Sequence, residues 1–249
     1  MNEAAAHGDT AGHGNHADHG DQRSSGRHWI HDVDPATDPT ELWERFYAEG
    51  EPWSGRANPA LVDELAERPI VVRPAGSIPS GTALDLGCGT GGDAIWLAGQ
   101  GWQVDAVDIS PTALARGAAA AQALGLGERI CWSCHNLDTD VPAGSWDLVT
   151  TAYLHSPVRL DREQILRRAA AAVAAGGTLI IIGHLGAPSW MTEPPAHLDL
   201  PTPEEIVASL DLAGWTVVAA RAVVVPSVAS PEGVPGTRTD SVVRLQRTG

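Results

Sequence analysis

Residues 83–91 read Ala-Leu-Asp-Leu-Gly-Cys-Gly-Thr-Gly, and this stretch decides the fold. Its apolar start is typical of a buried strand, and the strand ends abruptly at three alternating glycines. Glycine permits left-handed backbone and lets a ligand approach the main chain closely. Asp85 stands two residues before the first glycine. The stretch therefore predicts a strand, a tight turn and a helix that bind a nucleoside-containing ligand.

Strands and helices alternate after this turn. The predicted strands are 82–86, 102–108, 130–135, 146–151, 178–183, 215–225 and 240–247, and the predicted helices between them are 91–100, 111–125, 161–175 and one from 203 to near 214. The link 226–239 is rich in Pro and Gly, and a helix-free link normally joins antiparallel strands. We expect an α/β, Rossmann-like doubly wound sheet of seven strands, mostly parallel, with a C-terminal antiparallel hairpin.

The composition excludes several kinds of function. The formal net charge is −15 and all 16 basic residues are arginine. Without lysine there is no Schiff-base, P-loop or kinase lysine. The acidic charge argues against a nucleic-acid partner, and the absence of 18 consecutive apolar residues argues against a membrane span. Three cysteines and no secretory pattern predict a cytoplasmic protein.

The first 35 residues differ from the rest of the chain. They hold six of the ten histidines, with Gly and Asp between them and few apolar residues. We expect residues 1–35 to be a disordered tail and residues 36–249 to be one domain, in which residues 36–78 form a helical lead-in or lid. The tail histidines could bind metal weakly, but none has the fixed spacing of a structural metal site.

Asp108 is the second acid that matters, because it ends the second strand, 17 residues after Gly91. An acid at that place can accept both hydroxyl groups of a ribose. The glycines also satisfy a dinucleotide pattern, so an NAD(P) enzyme is an alternative. Asp85 argues against it, because an acid repels pyrophosphate, whereas S-adenosylmethionine (SAM) presents an ammonium and a sulfonium.

Residues 85–91, Asp-Leu-Gly-Cys-Gly-Thr-Gly, resemble motif I of the class I SAM-dependent methyltransferases. Residues 101–110 resemble the strand that follows it. Residues 43–47 and 53–61 resemble the lead-in of the tellurite-resistance-type, small-molecule subgroup. The resemblance spans about residues 40–247 and implies a methyltransferase with SAM as cofactor.

The resemblance also assigns roles. Asp85 and the glycine turn would hold the amino-acid end of SAM, Asp108 the ribose and Ile109 the adenine face. At the adenine edge, Asn136 replaces the usual acid. The cofactor-binding residues predicted in this way are Asp85, Gly87, Cys88, Gly89, Gly91, Asp108, Ile109, Asn136, Leu137 and Thr151.

Tyr153, His155 and His184 follow the fourth and fifth strands, at the sheet edge where ligands bind. They are the catalytic candidates, and either histidine could act as a general base or as a polar loop residue. Trp53 and Trp190 could line an acceptor pocket. Cys131 and Cys134 belong to a haem-attachment-like pattern, but it lies within a predicted strand, so we expect no haem or metal site.

The sequence therefore predicts a methyltransferase that acts on a small-molecule acceptor by direct displacement. The sequence does not distinguish between a soft inorganic acceptor such as tellurite and a small organic metabolite. The alternatives are an NAD(P)-dependent oxidoreductase and a metal-binding protein that uses the histidine-rich tail.

Overall fold

The computed structural model describes residues 33–50, 54–67, 81–191, 200–229 and 233–249. One seven-stranded sheet with the order β3-β2-β1-β4-β5-β7-β6 forms its centre. The strands are β1 (Thr82–Leu86), β2 (Gln103–Asp108), β3 (Ile130–Cys134), β4 (Trp146–Ala152), β5 (Val173–His184), β6 (Trp215–Ala229) and β7 (Pro235–Arg247). The helices are α1 (Pro39–Ala48), α2 (Pro59–Glu67), α3 (Gly92–Gly99), α4 (Pro111–Ala123), α5 (Arg162–Ala171) and α6 (Pro203–Ser209).

Strands β1 to β5 are parallel, and β7 pairs antiparallel with both β5 and β6. The predicted mixed sheet and its terminal hairpin are confirmed. Apolar residues pack on both faces of the sheet and give two cores, one built around Leu179 and Ile165 and the other around Leu97 and Ile180. A parallel sheet covered on both faces needs strands that are apolar throughout, which explains the sequence of β5.

The ends of the helices follow the capping signals in the sequence. The side chain of Ser110 accepts from the backbone N–H of Ala113 and Pro111 begins α4. Thr202 and Glu205 form a reciprocal capping box at the start of α6. These side chains satisfy N–H groups that a helix leaves without partners in its first turn.

The predicted boundary between α5 and β5 is wrong. Helix α5 ends at Ala171, and β5 already begins at Val173, where it pairs with Trp146. The pairing is irregular between Trp146 and Leu148, and Gly176 has a left-handed φ of 77°. The glycine pair therefore marks an irregularity inside a strand rather than the end of a helix.

The terminal hairpin is longer than predicted. Strands β6 and β7 pair from Trp215–Arg247 to Ala229–Pro235, so most of the predicted link 226–239 is strand. Pro226 lies at an irregularity in the pairing of β6, the edge strand, where the missing N–H of proline is tolerated. Helix α6 also ends earlier than expected, at Ser209 rather than near residue 214.

Two carboxylates of the lead-in hold it against the rest of the fold. Glu44 of α1 accepts hydrogen bonds from Ser110 and Thr112 at the start of α4. Glu64 of α2 is buried and pairs with Arg221, while Arg244 donates to its backbone carbonyl at 2.6 Å. Both helices are therefore held by carboxylates that have several partners.

One prediction falls largely outside the described residues. The histidine-rich tail is described only from residue 33, so the division of the chain at residue 35 stays a prediction. Among the residues that the structure does describe, no helix is long and apolar enough to cross a bilayer.

Candidate active site

A cleft of about 400 Å³ opens at the carboxyl ends of β1, β2, β4 and β5. In a doubly wound sheet this is the edge at which ligands bind, beside the point where the strand order reverses. Here the order reverses between β1 and β4. The cleft volume is in the range of pockets that bind small molecules.

The glycine turn forms one end of the cleft. Gly87, Gly89 and Gly91 have φ of 72°, 54° and 80°, so all three occupy the left-handed region that other residues rarely adopt. A Cβ on Gly91 would overlap the ring of Trp132. The predicted tight turn is confirmed, and it presents bare backbone to the cleft.

Three carboxylates, which we call the acidic wall, stand beside this turn: Asp85, Asp93 and Asp108. Burial, followed by the charges of the other two acids, holds the pKa of Asp85 well above its usual range. Burial raises the pKa of Asp93 to about 6 and also raises the pKa of Asp108. An environment that disfavours the ionised forms of three neighbouring acids favours a cationic ligand.

Hydrogen bonds show which of these acids are already engaged. Asp108 accepts from the backbone N–H of Gly89 at 2.8 Å and of Ser110 at 2.9 Å, and Asp93 accepts from the N–H of Asn58 at 2.6 Å. Among the described residues, Oδ2 of Asp85 is buried without a partner. Buried polar atoms in proteins are normally paired, so this atom points to a ligand that completes it.

The opposite side of the cleft carries three stacked rings, which we call the ring wall: Tyr153, His155 and His184. The ring of His184 lies 4.3 Å from that of Tyr153 and 5.3 Å from that of His155, centroid to centroid. Tyr153 has a φ of 55°, the one non-glycine residue with positive φ in the described part of the chain. Such a conformation costs about 1–3 kcal/mol and persists only when the surroundings fix it.

Asp240 of β7 fixes the ring wall from below. It accepts from the hydroxyl of Tyr153 at 2.7 Å and pairs with Nδ1 of His184 at 3.1 Å. Arg238 donates to both of its oxygens, at 2.8 and 3.0 Å, and to the Tyr153 hydroxyl at 2.7 Å. Burial alone would raise the pKa of Asp240, but the bonds from His184, Arg238 and Tyr153 lower it to about 2.

The other two rings of the wall are engaged as well. Nε2 of His155 accepts from the backbone N–H of His184 at 3.0 Å, and burial lowers the pKa of His155 to about 3. Burial and the bond to Asp240 raise the pKa of Tyr153 above its ordinary value. His155 is therefore a neutral acceptor and Tyr153 a neutral donor.

Helix α1 covers the cleft and contributes Trp43 and Tyr47 to its lining. These rings pack with Phe46, with Trp43 and Phe46 edge to face at 5.3 Å. Because Glu44 on the same helix binds the residues that follow Asp108, the cover is held next to the acidic wall.

Most of the residues predicted from the sequence come together here. The predicted residues that line the cleft are Asp85, Gly87, Cys88, Gly89, Asp108, Ile109, Asn136, Leu137, Tyr153, His155 and His184. Gly91 was also predicted, but it is the N-cap of α3 and is not among the described residues that line the cleft. Burial raises the pKa of the Cys88 thiol, and the side chain packs against the core, as a small space-filling residue does.

Two predictions need correction. Thr151 lies on the opposite face of β4, where it lines a small cavity with Leu166 and Ile206 instead of the cleft, because side chains alternate along a strand. Trp190 packs over Gly236 and is not among the described residues that line the cleft. Trp53 lies outside the described residues.

The sequence reasoning missed six residues of the site: Trp43, Tyr47, Asn58, Asp93, Arg238 and Asp240. A signal existed for Asp93, which follows the glycine turn directly. No local sequence signal indicated Asp240 and Arg238, because their place beside His184 depends on the pairing of β7 with β5.

The comparisons with known proteins agree with this arrangement. Residues 83–177 match the family model described as a methyltransferase domain. The chain is 34% identical over 106 residues to an ajmaline N-methyltransferase from Rauvolfia serpentina, covering 41% of this chain and 35% of that one. It is 31% identical over 169 residues to a ribosomal RNA small subunit methyltransferase C from Chromohalobacter salexigens, covering 64% and 50%.

The structure also resembles TehB from Haemophilus influenzae, with a TM-score of 0.59 and 14% identity over 83% of this chain and 67% of that one. At that identity the likeness shows the fold alone. The chain spans between about a third and a half of the length of the curated relatives that it matches. Residues 83–177 thus match a methyltransferase-domain model, and the chain shares the fold of TehB.

Proposed function

We propose that the chain is a SAM-dependent methyltransferase that transfers a methyl group to a small-molecule acceptor by direct displacement. The observation that carries this proposal is the buried, unpartnered Oδ2 of Asp85 beside a turn of three left-handed glycines. An ammonium group on the ligand would complete this atom with a charge-assisted hydrogen bond. When bound, SAM supplies a methyl group activated by its positively charged sulfur.

The residues of the acidic wall and the β3 end fit the rest of such a ligand. Asp108 accepts from the backbone N–H groups of Gly89, Ser110 and Ile109, and an ionised carboxylate has about four acceptor positions, so it can still accept from a ribose hydroxyl. Asn136 and Leu137 line the same end of the cleft and would meet the adenine. The acidic wall counts against the dinucleotide alternative, because a pyrophosphate anion would face three carboxylates.

A small acceptor is supported by the shape and the charge of the protein. Trp43 and Tyr47 cover the cleft, which leaves about 400 Å³ for cofactor and acceptor together. A ribosomal RNA methyltransferase is among the relatives, but a net charge of −15 opposes binding to a phosphate backbone. The ring wall stands where an acceptor would meet the methyl group, and positioning of the two reactants contributes much of the rate in such reactions.

Calorimetry with SAM, with its demethylated product and with NADH tests this function. We expect the first two to bind and NADH not to bind. Asp108→Ala is expected to weaken SAM binding at least about tenfold, because it removes bonds to a charged group. Asp63→Asn, which changes the same charge on the exposed face of α2, should leave the affinity as it is. Tight NADH binding without a response to SAM would refute the proposal.

The cytoplasmic location and weak metal binding by the tail remain predictions. The cytoplasmic location rests on the cysteines, and Cys88, Cys131 and Cys134 are free thiols. Weak metal binding concerns tail histidines outside the described residues. Within the described ones, no group of three or more His, Cys, Asp or Glu could hold a metal ion.

A further inference from the structure

The ring wall contains three candidate bases, and the hydrogen bonds leave only one of them able to take a proton from a substrate. The Tyr153 hydroxyl donates a hydrogen bond to Asp240 and accepts one from Arg238, so it is engaged within the protein both as a donor and as an acceptor. His155 has its Nε2 lone pair occupied by the backbone N–H of His184. Neither group offers a lone pair to a molecule in the cleft.

His184 differs because, among the described residues, only its Nδ1 has a partner. Its Nδ1 faces Oδ1 of Asp240 at 3.1 Å. Asp240 is ionised and can only accept, so Nδ1 carries the hydrogen, and in the neutral imidazole the lone pair is then on Nε2. The side chain of His184 is 34% exposed and lines the cleft, whereas Asp240 beneath it is 1% exposed. An imidazole oriented by a buried carboxylate is the arrangement of a general base.

The charges around the cleft indicate which kind of proton donor this base would meet. Four carboxylates line the cleft, namely the three of the acidic wall and Asp138, and no hydrogen bond among the described residues joins any of them to His184. Asp240, the carboxylate of the ring wall, already has three partners. Arg238 lies beside His184 through their shared partner Asp240, whereas Arg159 lies near Asn136 and Asp138. Among the described residues, an ammonium acceptor would find no free carboxylate beside the ring of His184, whereas an oxygen that becomes negative would lie near the guanidinium group of Arg238.

We propose that His184 is the general base of this site, that Asp240 is its positioning residue, and that the acceptor is a weakly acidic hydroxyl compound of the phenol or enol class. This inference rests on the proposed methyltransferase function and names its substrate class. Trp43, Tyr47 and the ring wall give the cleft flat aromatic surfaces, which suit a planar acceptor.

The step is a proton transfer. The O–H bond of the acceptor breaks, its proton forms a bond to Nε2 of His184, and the electron pair stays on the oxygen, which is then the nucleophile for the methyl group. The imidazolium that forms is neutralised by Asp240 and returns its proton to water. The groups that face His184 are Tyr153 and His155 from the loop after β4, and Arg238 and Asp240 from β7.

The kinetic test uses the full chain with SAM and three acceptors: phenol, 4-nitrophenol and thiocyanate. We expect wild-type protein to methylate the two phenols, with a rate that rises with pH. His184→Gln should lower kcat for phenol by about 100-fold or more, which is the usual contribution of a general base. The loss should be much smaller for 4-nitrophenol at pH 8, because that acceptor is already largely ionised. His155→Gln is the matched control, and it should lower the rate without removing the rise with pH.

A second measurement does not depend on turnover. Nitrogen-15 NMR of histidine-labelled protein, bound to the demethylated cofactor, should show His184 with its hydrogen on Nδ1, and the signal is identified by its loss in His184→Gln. Asp240→Asn should abolish this preference, since the tautomer is set by the carboxylate. Chemical denaturation of each variant reports whether it is folded.

The outcomes separate this inference from the proposed function. If wild-type protein does not bind SAM, the function itself fails. If SAM binds, the inference is overturned by equal losses for the two phenols in His184→Gln, by methylation of thiocyanate alone or of neither phenol, or by a hydrogen on Nε2 in wild-type protein.

Discussion

Replacing Asp85 by Asn should change cofactor affinity and apo stability in opposite directions. Asp85 is 2% exposed and its Oδ2 has no partner among the described residues. A hydrogen bond to a charged group is worth about 1.5–3 kcal/mol, and Asn would keep the shape but lose the charge. We therefore expect SAM to bind about 10- to 150-fold more weakly to Asp85→Asn.

Without ligand, the same substitution should raise the melting temperature at pH 8. The raised pKa of Asp85 comes from its burial and from the charges of Asp93 and Asp108, so the ionised form is unfavourable in the folded protein. A neutral amide removes that penalty.

Calorimetry and thermal unfolding of the same samples check both signs, with Asp63→Asn as the control for charge. A variant that was merely misfolded would lose affinity and stability together. Unchanged SAM affinity in Asp85→Asn would refute the assignment of this carboxylate to the ligand.

Three other perturbations test neighbouring parts of the structure. The pKa of Asp93 is 3.8 as an ordinary carboxyl and about 6 in the folded protein. Between these two pH values the folded state therefore binds more protons than the unfolded state. The contribution of Asp93 to apo stability should be greatest below that window and fall by about 3 kcal/mol as pH rises through 6, so the urea-unfolding curves of Asp93→Asn and wild-type protein should diverge between about pH 4 and 7. Gly91→Ala should destabilise the protein by about 1–3 kcal/mol and weaken SAM binding, because φ is 80° and the new methyl group would meet Trp132; wild-type stability would contradict this. Glu64→Ala should cost about 3 kcal/mol in chemical denaturation, because it leaves the buried Arg244 without its carboxylate, and a loss below about 1 kcal/mol would show that this pair does not hold α2.

Local signals sufficed for the parallel half of the fold. Strand β1 was predicted with its observed ends because an apolar run stops at glycine, and α4 because Ser110 and Pro111 form a helix start. The same kind of signal gave a wrong prediction at Gly176, because the glycine pair there lies at an irregularity inside β5 and does not end a helix. Glycine permits both outcomes, and only the pairing of β5 with β4 decides between them.

The candidate site divides in the same way. The acidic wall lies within 24 residues of sequence, from Asp85 to Asp108, and two of its three members were predicted from their spacing. The ring wall could be predicted as three residues at strand ends, but not as a network. Asp240 is 56 residues from His184 along the chain and reaches it only because β7 pairs antiparallel with β5 at that register.

Asp240 has a consequence for how this site could change during evolution. Tyr153, His184 and Arg238 all depend on the same two oxygen atoms. Substitutions that share a partner are not additive, so a second change among these three should cost less than it does alone. We therefore expect these residues to be kept or replaced together during evolution. Once one of them is replaced, the others contribute less to the site.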